Sequence, residues 1–193
     1  MKKKLATLLS GSILLLVTLA TPGYSCVGRI LNLTINNSVE QKIIGQIMAT
    51  YITERTGTTV NLVNATAGQQ ANQCPTDVCI NYLKSGLSGM NGIQAQDEKE
   101  AYSLVKEYYI DSQKLVWLNP FGYKGPVEQQ SAASLAVPVA NQESLAKFPV
   151  LDRVINKLGD LIDDAALQQL IQQAQNGDTE TVAKDFLKNR NLI

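Results

Sequence analysis

Histidine is absent from the 193 residues of the chain. Its absence excludes a histidine general base, a serine–histidine triad and any metal site built on imidazole. Tryptophan occurs once and cysteine three times, and no nucleophile–base pair or phosphate-binding glycine motif accompanies them. We therefore expect a protein that is not an enzyme and that uses no cofactor and no metal.

An excess of basic residues is also lacking. The whole chain has 17 basic and 17 acidic residues, and without residues 1–25 the numbers become 14 and 17. A nucleic-acid-binding protein normally shows a basic surplus or a basic stripe. Nucleic acid is therefore not an expected partner.

The N-terminus has the pattern of a secretory leader. Residues 1–4 are basic, residues 5–20 are mostly apolar, and small residues follow. We expect residues 1–25 to be a signal peptide and residues 26–193 to form a single exported, periplasmic or extracytoplasmic domain. The alternative is a single transmembrane helix.

Cysteine is represented by Cys26, Cys74 and Cys79. Export implies an oxidising compartment, in which pairing is expected. Cys74 and Cys79 can pair if Cys74 lies outside the helix that we expect to hold Cys79. Cys26 stands where a lipoprotein carries its acylated cysteine, and this anchor would be the only contact with a membrane. The alternatives for Cys26 are a free thiol or a bridge to one of the other two.

The first part of the domain predicts a βαβ unit. Residues 30–35 alternate as a strand does, and Ser38 with Gln41 has the form of a capping box. Apolar residues at 3.6-residue spacing then predict a helix that ends at Gly57. Residues 58–63 read as a second strand, parallel to the first.

The remainder predicts more helix than strand. We expect strands over residues 87–90 and 114–118, and helices over residues 76–85, 95–108, 144–157, 163–175 and 179–189. The pattern is lost over residues 124–134, which we interpret as a linker. Trp117, between apolar neighbours in a strand, is expected in the core.

Three pairs of segments occur in a characteristic order: residues 39–47 (VEQKIIGQI) with 56–60 (TGTTV), 83–86 (LKSG) with 115–123 (LVWLNPFGY), and 148–151 (FPVL) with 182–187 (VAKDFL). Together they resemble the glycine betaine/choline/proline-type substrate-binding proteins of ABC transporters. The resemblance implies one lobe of a type II periplasmic binding protein: an α/β fold of three layers, with a mostly parallel sheet and helices on both faces. It also implies a betaine-like solute and an ABC transporter permease as partners.

Two departures from the family bear on function. The family inserts a second lobe after the strand that matches residues 115–123, whereas here about 20 residues separate Tyr123 from the closing helices, so we expect the second lobe to be absent. The family's aromatic segment is replaced by residues 88–93 (SGMNGI). The alternative function is therefore a degenerate single lobe that has lost small-molecule binding and serves as an interaction module for another envelope protein.

The expected ligand site lies at the carboxyl end of the first strand. Asn36, Asn37 and Ser38 form the turn before a helix N-terminus, a place where open α/β sheets bind ligands. Asn91 and Tyr123 are expected beside it, with Tyr123 facing the cleft. The plainer interpretation is that Ser38 caps the helix and the asparagines only make the turn. If the turn is part of a ligand site, we expect an extracytoplasmic solute-binding protein for uptake of a quaternary ammonium compound.

Overall fold

The computed structural model describes residues 28–66, 73–91 and 93–193. The expected signal peptide and Cys26 lie outside these residues. The strands are β1 (Ile30–Ile35), β2 (Thr59–Asn64), β3 (Val78–Tyr82), β4 (Leu115–Trp117), β5 (Lys124–Gly125) and β6 (Ser134–Asn141). The helices are α1 (Val39–Thr56), α2 (Leu83–Ser88), α3 (Glu98–Gln113), α4 (Gln142–Lys147), α5 (Leu151–Asn156), α6 (Asp164–Asn176) and α7 (Thr179–Asn189), with a 3-10 turn at Gln130–Ala132.

The strands form one six-stranded sheet in the order β2-β1-β3-β6-β4, and β5 pairs with β6. β1 pairs in parallel with β2 and with β3, whereas β3, β4 and β5 each pair antiparallel with β6. Five strands therefore point one way and β6 points the other. The predicted βαβ unit at the start of the sheet is confirmed, and the sheet as a whole is mixed, with two parallel and three antiparallel strand pairs.

Helices cover both faces of the sheet. On one face, α1, α5, α6 and α7 pack together over apolar side chains of β1, β3 and β6. On the other face, α2 and α3 pack over β3, β4 and β6. Each cluster removes a large apolar area from water, which is the main term that stabilises such a fold. The predicted three-layer α/β architecture is confirmed.

Helix α1 forms for the reasons that its sequence suggests. Ser38 is its N-cap, with the hydroxyl oxygen accepting a hydrogen bond from Gln41 N at 3.2 Å. Gly57 ends it in the left-handed conformation, with φ of 69°, which glycine adopts without steric cost. The predicted start and end of this helix are confirmed.

Two strands were wrong or missing in the prediction. Residues 76–85 were expected to be helical, but β3 occupies Val78–Tyr82 and is buried along its whole length. Strand β6 was not predicted at all, and residues 87–90, expected as a strand, lie at the end of α2 and in the turn after it. A strand buried on both faces reads as a continuous apolar run, which periodicity alone does not distinguish from a helix.

The helix expected over residues 144–157 is two short helices, α4 and α5. Pro149 lies between them, and Phe148 before it has φ of −122° and ψ of 76°. The proline ring disfavours helical geometry in the residue that precedes it, so the helix ends there. The helices expected over residues 95–108 and 163–175 are present with shifted ends, and the helix over 179–189 is confirmed.

The predicted linker holds β5 and the 3-10 turn, and its Gly125–Pro126 peptide bond is cis. Trp117 is fully buried, as expected, and packs against Tyr109 with ring centroids 5.5 Å apart. Within the described ranges, no helix is both long enough and apolar enough to span a bilayer.

Candidate ligand site at the carboxyl ends of the strands

A cavity of about 200 Å³ opens at the carboxyl ends of β1 and β3. Strand β1 lies between β2 and β3, and the chain leaves β1 through α1 toward β2. The cavity therefore occupies the topological switch point of the sheet, where open α/β folds bind ligands. Most of its lining residues are of polar type: Thr34, Asn36, Gln41, Ala65, Thr66, Gln73, Cys79, Ile80, Asn81 and Tyr82.

The turn between β1 and α1 forms one rim of the cavity. Asn36 Oδ1 accepts hydrogen bonds from the Ser38 backbone N–H at 2.9 Å and from the Ser38 hydroxyl at 2.6 Å. These bonds satisfy the Asn36 carbonyl oxygen. We find no partner for Asn36 Nδ2 in the part of the chain that the structure describes, so this amide group is available as a donor.

Gln41 joins the turn to strand β3. Its Oε1 accepts a 2.7 Å hydrogen bond from Asn36 N, and its Nε2 donates to Tyr82 Oη at 3.1 Å and to the Ile80 carbonyl at 3.4 Å. The predicted capping box is thus only half present, because the Gln41 side chain reaches Asn36 N instead of Ser38 N. This displacement makes Gln41 part of the cavity wall.

Glu40 is a buried carboxylate behind the cavity, with 3% of its surface exposed. Oε1 accepts from the Tyr82 hydroxyl at 2.8 Å, and Oε2 accepts from Val127 N at 2.7 Å. Among the described residues, no lysine or arginine nitrogen lies within 4.0 Å of its oxygens. Burial and then the Glu40 charge raise the pKa of Tyr82, so its hydroxyl keeps its proton.

Cys79 lies in the cavity wall and is bonded to Cys74, which confirms the predicted disulfide. The two Cα atoms are 5.5 Å apart, within the normal range. Cys79 lies on β3 and not on a helix, which corrects one premise of the prediction. The bridge holds the segment that leads into β3, including Gln73, against the cavity.

The structure does not bring all of the predicted site residues to the cavity. Asn36 lines the cavity, Ser38 caps α1, and Asn37 is exposed on the turn. Asn91 is exposed in the turn after α2 and is not part of the lining.

Tyr123 requires a correction, because it is fully buried in the core and does not face a cleft. Its ring stacks on Phe121 with centroids 5.9 Å apart. Burial and the neighbouring Glu40 carboxylate raise the pKa of Tyr123 well above its ordinary value. Tyr123 therefore supports the core beneath the site instead of forming its surface.

Of the residues that line the cavity, the sequence predicted only Asn36 as part of a ligand site. The polar residues that it missed include Thr34, Gln41, Asn81 and Tyr82. The last two lie in β3, which was predicted as helix. In the structure Val78, Ile80 and Tyr82 face one cluster and Cys79 the other. This alternation is that of a strand and puts Asn81 on the side of Cys79. In the sequence Val78, Cys79 and Ile80 are consecutive apolar residues, so the period of two is not visible there.

A larger opening, of about 1010 Å³, lies at the opposite end of the sheet. Asp77 and Glu143 are the acidic residues of its lining. The Asp77 oxygens are used within the fold, because they accept hydrogen bonds from Asn32 N at 2.8 Å and from the Ser144 hydroxyl at 2.7 Å. Asp77 thus joins β1 to α4 at the start of β3. Throughout residues 28–66, 73–91 and 93–193, no three His, Cys, Asp or Glu side chains are grouped as a metal ion would need.

The second part of the chain is similar to a known protein family. The family described as the substrate binding domain of ABC-type glycine betaine transport system matches residues 104–189, from within α3 to the end of α7. The resemblance to glycine betaine binding proteins is confirmed. The cavity residues, from Thr34 to Tyr82, precede the matched range, so the family match does not itself describe the cavity.

Solved structures extend the likeness in fold to most of the chain. A crystal structure of a glycine betaine/carnitine/choline ABC transporter protein is 13% identical, with a TM-score of 0.69 over 85% of this chain and 98% of that one. Apo YehZ from Escherichia coli is also 13% identical, with a TM-score of 0.66 over 84% and 99%. No curated protein sequence matches the chain. The fold is therefore that of a periplasmic binding-protein lobe.

Proposed function

We propose that the protein is an extracytoplasmic solute-binding protein that receives a small polar solute and passes it to an ABC transporter permease. The observation that carries the proposal is the polar cavity at the switch point between β1 and β3. This is where the fold class binds ligands. The match of residues 104–189 to a glycine betaine binding domain supports the transport role. Both the cavity and the family match are consistent with a protein that binds a solute without converting it.

We also propose that the mature chain is a single lobe, residues 26–193, preceded by a signal peptide over residues 1–25. Ten residues, 124–133, separate Tyr123 from β6, and they are used by β5 and one 3-10 turn. Location outside the cytoplasm, and lipidation of Cys26 as an anchor, belong to the same proposal. The Cys74–Cys79 disulfide supports it, because such bridges persist in oxidising compartments.

A screen of thermal stability against betaines, choline, proline and other amino acids tests the solute-binding role. A ligand at about 100 times its Kd adds about 2.7 kcal/mol to the free energy of unfolding, which raises the melting temperature. Thermal shift is preferable to tryptophan fluorescence, since Trp117 is fully buried in the cluster under α2 and α3.

Two blocking variants localise the binding. Ala65 lines the cavity and is exposed, whereas Ala146 is exposed at the opposite opening. Ala65→Phe should abolish the shift, and Ala146→Phe should leave it unchanged. If no solute at millimolar concentration shifts the wild-type melting temperature, the solute-binding role is refuted.

The second candidate is a protein-interaction module of the envelope. It is favoured by the composition of the cavity, which presents one aromatic residue, Tyr82. A quaternary ammonium is normally held by several aromatic faces. On this candidate the wild-type protein would bind no small solute and would instead co-purify with an envelope protein from the native host.

A further inference from the structure

We propose that the cavity takes a small zwitterion whose ammonium carries N–H groups, with the ammonium toward Thr34 and the carboxylate toward Asn36 Nδ2 and the first turn of α1. This inference rests on the proposed solute-binding function and specifies the class of ligand. It departs from a quaternary ammonium, which has no N–H group to donate.

Thr34 supplies a hydrogen-bond acceptor inside the cavity. Its hydroxyl lies 2.8 Å from that of Thr76, and the Thr76 hydroxyl donates to the Val78 carbonyl at 2.9 Å. Because Thr76 has used its only proton, Thr34 must be the donor to Thr76. The Thr34 oxygen thus retains lone pairs and no proton for the cavity. Thr34 is only 5% exposed. A ligand that covers its oxygen without donating a hydrogen bond leaves a buried acceptor unpaired, which costs binding free energy.

Asn36 supplies the opposite chemistry at the rim. Its carbonyl oxygen is occupied by the two bonds from Ser38, which leaves the amide N–H groups to face a ligand. They lie beside the N-terminus of α1, whose 18 residues end in a partial positive charge there. The Asn36 amide N–H groups are donors, and donors favour a carboxylate.

Glu40 adds a buried negative charge behind Tyr82, without a cationic partner in the described ranges. A charge in a poorly hydrated region acts over a longer distance than one in water, because screening is weaker. The field opposes an anion that has no ammonium group. The lining itself bears no formal charge, so it matches a ligand of zero net charge.

Size limits the ligand as well. At about 30 Å³ per molecule, the cavity holds the equivalent of about six or seven waters. A small amino acid fits this space. Methyl groups on the nitrogen would press against the Thr34 oxygen without donating a hydrogen bond to it, which leaves its lone pairs without a partner.

A methylation series provides the test: glycine, sarcosine, dimethylglycine and glycine betaine share one carboxylate and differ only in N–H count. Isothermal titration calorimetry on the wild-type protein measures each affinity, with proline and its N,N-dimethyl derivative as a second pair and glycerol as a neutral probe. We expect affinity to fall as methyl groups replace hydrogens, with glycine betaine at least about tenfold weaker than the best N–H member, the effect of about one good hydrogen bond.

Thr34→Val keeps the shape and removes the acceptor, so the tenfold preference should shrink toward equality. Thr59→Val, on exposed β2 and outside the lining, is the matched control and should keep the preference. Circular dichroism and the melting temperature establish that both variants fold. If the preference survives in Thr34→Val, the assignment of the ammonium to Thr34 is wrong.

The remaining outcomes separate the two proposals. Glycine betaine binding as tightly as glycine or sarcosine, or glycerol binding while the amines do not, overturns the ligand class but leaves the solute-binding function standing. Absence of heat for every member of the series and for the wider panel of solutes overturns both.

Discussion

Glu40 Oε2 accepts a 2.7 Å hydrogen bond from Val127 N, and this bond joins the first turn of α1 to the segment between β5 and β6. The other oxygen of Glu40 accepts from Tyr82. One carboxylate thus positions both the cavity wall and the short connection that leads into β6. We therefore expect the loss of either acceptor oxygen of Glu40 to destabilise the fold.

Glu40→Gln should lower the free energy of unfolding by about 1.5–3 kcal/mol. The amide replaces one acceptor oxygen by an NH₂ group, which faces a donor, and hydrogen bonds to charged groups are worth about that much. Urea denaturation measures the change. Glu54→Gln, exposed on the same helix, should stay within about 0.5 kcal/mol of wild type. Equal stability of the two variants would contradict the role assigned to Glu40.

Ser38→Ala should destabilise the protein by about 1 kcal/mol, because it removes the N-cap acceptor of α1. Asn37→Ala, one residue earlier and exposed, is the control and should have little effect. The same pair addresses the predicted ligand role of the turn. If Asn37→Ala weakens solute binding without loss of stability, Asn37 contacts the ligand and the plainer interpretation of this residue is wrong.

Gly86→Ala should destabilise by about 1–3 kcal/mol through overpacking. A Cβ atom there would lie 2.6 Å from Trp117 Cη2 and 3.0 Å from Val105 Cγ1. The emission of the single tryptophan should shift as its ring is displaced. Ser85→Ala, in the preceding position of α2, adds no atoms and should leave the emission unchanged. An unchanged spectrum and stability for Gly86→Ala would show that the contact between α2 and β4 is looser than described.

Reduction of the Cys74–Cys79 bridge should cost about 2 kcal/mol of stability by the loop-entropy relation, since the residues are only 5 apart. The melting temperature should fall when reductant is added. The double variant Cys74→Ser/Cys79→Ser should melt at the reduced value and should not respond to reductant. Cys26 is the one cysteine left in the double variant, so a response there would mean that the reductant acts on something other than a bridge within one chain.

Asp178 makes the start of α7 sensitive to acid. Hydrogen bonds from the Thr181 backbone N–H and hydroxyl, each 2.9 Å, hold its pKa below the ordinary value of 3.8. Since the folded-state pKa is lowered, the stabilisation is fully present above pH 3.8 and is lost as pH falls through the lowered value. Asp178→Asn keeps a capping oxygen but should remove this part of the pH dependence, whereas Asp185→Asn on the same helix should retain it. Melting temperatures from pH 7 to pH 2 measure the difference.

The βαβ unit could be predicted because its signals are local. Ser38 and Gly57 mark the ends of α1, and the alternation of residues 30–35 is that of a strand with one apolar face. The family resemblance came from the same kind of local pattern. These signals predict where β1 ends and α1 begins. The turn between them contains Asn36, which lies at the rim of the cavity.

Strand β6 could not be predicted because its identity depends on distant partners. It contains Pro138, which normally argues against a central strand. In the structure the β4 ladder ends at Trp117–Val139, and Leu118 N donates to the Pro138 carbonyl at 2.9 Å. Pro138 has no N–H group to donate, but at this position β4 has already ended, so its ladder with β6 loses no hydrogen bond. Only the tertiary arrangement makes this residue acceptable.

The site was partly unpredictable for a similar reason. Tyr123 follows a glycine after a strand, which is typical of a residue that faces solvent at a sheet end, yet Phe121, Tyr82 and the Glu40 carboxylate surround it. Conversely, Gln41 was predicted as half of a capping box, but its reach to Asn36 and Tyr82 depends on β3 lying next to β1. Side chains that bridge elements are determined by topology, which local pattern does not contain.

The position of β6 also has a consequence for how the protein matures. It is the strand that joins β3 to β4, and its residues come late in the chain, so neither neighbour has its full set of hydrogen bonds until β6 has been synthesised. Contacts between distant segments slow folding. The sheet is therefore completed only when residues 134–141, in the last third of the chain, have been synthesised.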